Sequence, residues 1–140
     1  MYMSKTFQLD IIASDRVFYS GECEELVFPA LDGLYGVLPL HEPLVTAVSP
    51  GELKYKVDGK WYYAAVSNGF AEIMPQFAVI LADYVEFPEE IDIKRAKEAK
   101  MRAQERMKQK QSVIEYYRTQ AALNRAMNRL KVSGKRFKDM

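Results

Sequence analysis

Six arginines in the last third of this 140-residue chain stand at spacings that can do chemistry. Arg95, Arg102 and Arg106 fall at i, i+7 and i+11, and Arg118, Arg125 and Arg129 repeat the interval. At about 100° per residue, each trio forms one stripe along an α-helix. Two such helices side by side would bring together planar, permanently charged guanidinium forks, which suit a polyanion such as phosphate. The plainer alternative is a solvated basic face. Other chemistries find little support. His41 is the only histidine and Cys23 the only cysteine, so neither an internal disulfide nor a Cys/His metal site is expected. Ser67 sits beside Asn68 and Gly69 without an evident base and orienting acid, and no Walker A loop is present. The expectation is a non-enzyme with no catalytic residue, no metal and no required cofactor.

The arginines need a helical frame, and the sequence supplies one. From Ile91 to about Lys131 there is neither Gly nor Pro, and strong helix formers dominate. Asp92 is placed to cap the first helix, with Pro88 in the turn before it. Lys108 to Gln111 is polar, and Ser112-Val113-Ile114-Glu115 then spells a capping box that starts a second helix. The reading is an antiparallel two-helix hairpin, with order ending near Gly134 and Lys135 and Lys138 in a mobile tail. Alanines 96, 99, 103, 121, 122 and 126 allow close approach but bury little area, so the hairpin is expected to open easily. Tyr116 and Tyr117 are expected to face the hairpin core with Leu123 and Met127.

Upstream, about 85 residues alternate with period 2 and are rich in β-branched and aromatic types. Strands are expected near Phe7 to Ile11, Arg16 to Tyr19, Glu25 to Phe28, Leu53 to Val57, Lys60 to Val66, Phe70 to Met74 and Ala78 to Ala82. Asp58-Gly59 is a type I′ hairpin signal, and further breaks are expected at Ser20-Gly21, Asp32-Gly33, Ser49-Pro50-Gly51 and Asn68-Gly69. An antiparallel sandwich or barrel follows. The charge divides with the pattern. Up to Glu90 there are five basic residues against fourteen acids, and from Ile91 onward fifteen against five. Two domains are expected, 1–87 and 88–140. Met1 to Thr6 lacks a signal-peptide pattern and no apolar run reaches membrane-spanning length, so a soluble cytosolic chain is expected.

Gly33-Leu34-Tyr35-Gly36-Val37-Leu38-Pro39-Leu40-His41-Glu42-Pro43-Leu44 resembles the G-x-x-G-x-x-P-x-H-x-P-L loop of ATP synthase epsilon subunits. Ser67 to Ile73 resembles that family's S-x-G-x-x-E-V strand, Val79 to Ala82 its last sandwich strand, and Ile91 to Ala96 its I/L-D-x-x-R-A motif. The matches run in order from residue 7 to about 131. The resemblance implies an N-terminal antiparallel β-sandwich of about ten strands followed by the helical hairpin. It also implies a non-catalytic rotor subunit of the bacterial F-type enzyme, peripheral at the cytoplasmic face of the cell membrane. The sandwich would contact the gamma subunit and the c-ring, with Asp32, Gly33, Leu34 and His41 in the contact loop. Leu34 stands where many relatives carry an acid, and Asp32 is the substitute. His41 is read as a structural loop residue rather than a proton carrier.

The resemblance further implies a hairpin with two arrangements. Folded, it permits ATP hydrolysis; extended among the alpha and beta subunits, it blocks it, with Arg118, Arg125 and Arg129 on the inhibitory arm. Some relatives bind ATP in the folded hairpin, and Glu86, Ile91, Asp92, Arg95, Ala96, Arg102, Arg125 and Arg129 occupy the matching places. ATP is thus expected as a regulatory ligand. The competing interpretation is a nucleic-acid-binding module using the basic helices, with Tyr116 and Tyr117 as stacking platforms. Filter binding with a salt titration separates the two.

Overall fold

Strict alternation of buried apolar and outward residues in the segment Phe7–Ala13 (β1) is what a strand with one face on a core requires. In the computed structural model, which describes residues 5–137, nine further strands follow. They are β2 (Val17–Cys23), β3 (Glu25–Ala30), β4 (Gly33–Val37), β5 (Leu44–Val48), β6 (Gly51–Val57), β7 (Lys60–Val66), β8 (Gly69–Ile73), β9 (Phe77–Ala82) and β10 (Val85–Glu86). They form two five-stranded sheets, ordered β2-β1-β9-β8-β5 and β10-β7-β6-β3-β4. All pairings are antiparallel except β1 with β9, which run parallel from Gln8↔Phe77 to Ala13↔Ala82. Leu9, Ile11, Leu26, Phe28, Leu53, Ile73 and Ile80 are wholly buried between the sheets and form the core of a β-sandwich.

Turn chemistry follows the residues. Asp58 and Gly59 both take positive φ, 52° and 78°, and close the β6/β7 hairpin. Gly69 is required by close approach, because a Cβ there would run into the Leu81 carbonyl oxygen of the neighbouring strand. Three strands were not evident in the sequence: β4 with its two glycines, β5 directly after Pro43, and the two-residue β10. The expected break at Ser20-Gly21 is not one. β2 continues through it to Cys23, with Gly21 paired to Leu9.

On its outward side the first sheet carries a row of apolar residues that crosses all five strands. Val17 pairs with Ile12, Ile12 with Leu81, Leu81 with Phe70 and Phe70 with Ala47. Phe70 is 64% exposed. Leu31, Phe70 and Leu81 also line an open groove of about 510 Å³ whose rim includes Ser49, Asn68 and Asp83.

The chain divides into two compact units, Met1–Glu86 and Phe87–Met140. The second begins with a 3₁₀ turn at Pro88–Glu90, where the Phe87 amide donates to Glu90 Oε1 at 2.8 Å. Two helices follow, α1 (Ile93–Met107) and α2 (Val113–Ser133), and then a 3₁₀ turn at Gly134–Phe137. Asp92 Oδ1 accepts from the Arg95 amide at 3.1 Å, and Ser112 Oγ accepts from the Glu115 amide at 3.2 Å, so both N-caps form. The expected capping box at Ser112 closes on that one side only, with no return bond from the Ser112 amide to the Glu115 carboxylate. Gly134 ends α2 without leaving right-handed geometry (φ −64°), and the chain continues from it as the 3₁₀ turn to Phe137. Lys135, expected in a mobile tail, is half-buried and engaged; Lys138 lies outside the described residues.

Candidate anion site on the helical hairpin

Small residues set the distance between α1 and α2. Ala96 and Ala103 of α1 and Thr119 and Ala126 of α2 are buried, Ala99 and Ala122 are half-buried, and Ala121, expected in the contact, faces solvent. The loop end of the pair is pinned by a polar clasp. Thr119 Oγ1 lies 2.8 Å from the Glu115 carbonyl oxygen and 3.2 Å from the Gln111 amide group. A hydroxyl has one proton, and the carbonyl must receive it. Gln111 therefore donates its amide N–H to Thr119, which also accounts for the unpaired amide nitrogen in the opposite flip.

Close-set helices leave their longer side chains to flank a groove. One such groove, about 500 Å³, is lined by Ala99, Arg102, Ala103, Arg106, Glu115, Arg118, Thr119 and Ala122. The arginine stripes therefore meet, with Arg102 and Arg106 from α1 and Arg118 from α2. Among the described residues no carboxylate lies within 4.0 Å of these three guanidiniums. The ion pair at the loop end, Lys108 with Glu105 at 3.5 Å, belongs to residues lining a separate groove with Met101 and Leu123. Three guanidiniums that make no ion pair, facing one acid around one open concavity, can take an anion with several oxygens.

The residues assigned to ATP by resemblance are not all gathered here. Arg102 lines the groove; Arg95, Arg125 and Arg129 do not. Arg95 and Arg125 are exposed on their helices, whereas Arg129 is half-buried and already engaged. Asp92 is exposed at the start of α1, Ile91 is buried at the end of the preceding turn, and Ala96 is buried in the helix pair. Glu86 belongs to the sandwich unit, half-buried in β10 opposite Ala65. Two groove residues escaped the sequence reading. Arg106 was part of a stripe but of no site, and Glu115 was assigned to helix capping alone. Tyr116 and Tyr117 do not face a core. They pack edge to face on each other at 5.7 Å, 40% and 64% exposed, and Met127 is 48% exposed.

Elsewhere the loop residues have their own geometry. Asp32, Gly33 and Leu34 are exposed at the β3/β4 turn, Leu34 at 74%. His41 has both ring nitrogens engaged: Nδ1 lies 2.6 Å from the Glu42 carbonyl oxygen and Nε2 lies 2.9 Å from the Tyr35 hydroxyl. Since Nδ1 must donate to a carbonyl, the neutral ring accepts from Tyr35 at Nε2. Cys23 is fully buried. Burial pushes its thiol up to about 11, so it stays protonated at neutral pH and is no nucleophile.

Against known sequences, residues 6–88 match the ATP synthase delta/epsilon chain beta-sandwich domain and residues 89–134 match the delta/epsilon chain long alpha-helix domain. The ATP synthase epsilon chain of Ruminiclostridium cellulolyticum is 52% identical over 131 residues, covering 94% of this chain and 98% of that one.

The chain belongs to the ATP synthase epsilon-chain family.

Epsilon chains at 44% identity occur in Desulforamulus reducens, over 131 residues, and Caldanaerobacter subterraneus subsp. tengcongensis, over 134; the matches cover 94% and 95% of this chain and 99% and 97% of those relatives. A chain in the Euglena gracilis mitochondrial ATP synthase structure (OSCP/F1/c-ring, rotational state 1) shares the fold with a TM-score of 0.82 at 21% identity, covering 91% of this chain and 81% of that one. A chain in the Tetrahymena thermophila mitochondrial ATP synthase central stalk/c-ring structure gives 0.67 at 8%, covering 95% and 99%. As an epsilon chain the protein is a non-catalytic subunit of the F-type ATP synthase. Among the described residues no helix is long and apolar enough to cross a membrane.

Proposed function

We propose that this epsilon chain turns with the central stalk, joins gamma to the c-ring at the cytoplasmic face of the cell membrane, and restrains ATP hydrolysis through a hairpin that ATP holds folded. The observation that carries the regulatory half is the groove in which Arg102, Arg106 and Arg118 converge, three cations against the single acid Glu115 and, among the described residues, without an ion pair. Guanidiniums drawn together repel, and alanine contacts bring little apolar area to oppose that repulsion. A triphosphate lying along the arginine stripes would remove the repulsion and favour the closed pair. By mass action, ATP at one hundred times its dissociation constant would favour the closed hairpin by about 2.7 kcal/mol.

Without ligand the closed pair would lose that support, and α1 and α2 would separate more readily. They contain 15 and 21 residues, about 22 and 31 Å of helix, enough to reach well along gamma into the catalytic head. There the basic arm, with Arg118, Arg125 and Arg129, would meet acidic surfaces of the alpha and beta subunits and block rotation in the hydrolysis direction. In the sandwich unit, the apolar row from Val17 to Ala47 supports the reading of this face as the seat for gamma, and the exposed turn of Asp32, Gly33 and Leu34 as the c-ring contact.

The test is calorimetry of the isolated full chain with ATP. One molecule should bind per chain and be recovered intact, with a rise in melting temperature. No heat and no thermal shift at millimolar ATP would reject the nucleotide role.

A further inference from the structure

We infer that Glu115 is a resident counter-anion of the arginine groove, occupying by charge the place of the ligand and setting how tightly a polyanion binds. This rests on reading the groove as an anion site. Glu115 shares the groove with Arg102, Arg106 and Arg118, and among the described residues it is the only acidic side chain lining it. Helix capping engages its amide but not its carboxylate. In a closed capping box the third helical residue returns its carboxylate to the amide of the cap residue, as Glu90 does where its Oε1 accepts from the Phe87 amide at 2.8 Å. At the start of α2 only half of that device forms. Ser112 Oγ accepts from the Glu115 amide, and among the described residues the Glu115 carboxylate has no hydrogen bond or ion pair of its own. The turn of α2 that carries it into the groove wall is held through Thr119, whose hydroxyl donates to the Glu115 carbonyl oxygen and thereby ties that turn to Gln111 in the loop.

A carboxylate there has two electrostatic effects of opposite use. Without ligand it offsets part of the mutual repulsion of three guanidiniums, so the helices can stay together unliganded. With ligand it repels the incoming phosphates, which lowers affinity and lets the groove empty as the ligand concentration falls. Glu115 therefore shifts the concentration at which the hairpin responds upward, at the same time as it keeps the empty groove from flying apart.

Glu115→Gln removes the charge and keeps a side chain able to serve the same helix start. Calorimetry at low salt on the full chain, with ATP and separately with sodium tripolyphosphate, should show the variant binding both about threefold to tenfold more tightly, the gap narrowing as salt is added. Glu105→Gln, the same charge change in the other groove, should leave both affinities within about twofold. Equal or weaker binding by E115Q, or an equal gain in E105Q, would overturn the inference. Glu115→Ala reads the same quantity should E115Q not fold. If the unaltered chain takes ATP and E115Q shows no gain, the counter-anion role alone fails. If the unaltered chain takes no ATP but E115Q binds tripolyphosphate, the nucleotide reading fails and the role of Glu115 stands. If neither chain binds either probe, both fail.

Discussion

At the residue scale, Asp92 has two jobs that one substitution can separate. It caps α1 through its bond to the Arg95 amide, and it belongs to the set placed on ATP by family resemblance. Asn caps as well as Asp does, so Asp92→Asn should keep the helix and change only ligand affinity, whereas Asp92→Ala should also cost about 1 kcal/mol of helix stability. Circular dichroism during urea titration, beside calorimetry, reads the two effects apart; an Asn variant with unchanged ATP affinity would leave Asp92 a structural residue. Cys23 yields a prediction of a different kind. Its folded-state thiol titrates near 11 against an ordinary value of 9.0. The stability this confers is fully present below pH 9 and lost as pH rises through 11, because only the unfolded chain gives up the proton in that window. Iodoacetamide should leave Cys23 unmodified in the folded chain at pH 8 and label it in urea. Rapid labelling without denaturant would contradict its burial.

At the scale of elements, the helices were legible because capping chemistry is local. Asp92 and Ser112 each stand directly before a helix, and each forms the expected bond. The strands were less so. β4 is Gly-Leu-Tyr-Gly-Val, weak in intrinsic preference, and exists because β3 offers it an edge. β10 is two residues that gain their identity only by pairing with Val66 and Ala65. The stripes show the same limit in the site. Heptad spacing predicted that arginines would line up, but which of them meet across the pair depends on how the two helices are set along each other. That setting selects Arg102, Arg106 and Arg118, and no count along one helix contains it. Arg118→Ala and Arg106→Ala should therefore each weaken ATP binding by about fivefold to tenfold, and Arg16→Ala in the sandwich should not. Titration of each variant by calorimetry decides it. Arg95→Ala exceeding both would shift the phosphates toward the start of α1.

For the whole molecule, the charge division and the change of period near Phe87 to Glu90 coincide with the division into two compact units. Removing the chain after Pro88 should leave a sandwich that melts cooperatively and still joins the complex, because its buried residues from Leu9 to Ile80 lie within the ten strands. Hydrolysis by the assembled enzyme should rise. An unchanged rate, in an enzyme with no other inhibition, would remove the brake from the hairpin's functions.

The parallel pairing of β1 with β9 also fixes an order of events during synthesis. The first strand to leave the ribosome cannot complete its sheet until the ninth has emerged, so its second edge stays open while the intervening strands are made. The two helices need no such wait, since each turn contacts residues made moments before. Refolding followed by stopped flow should accordingly resolve a fast helical phase and a slower one tied to closure of Phe77–Ala82 onto Gln8–Ala13. Shortening the path between those strands by circular permutation should speed the slow phase alone.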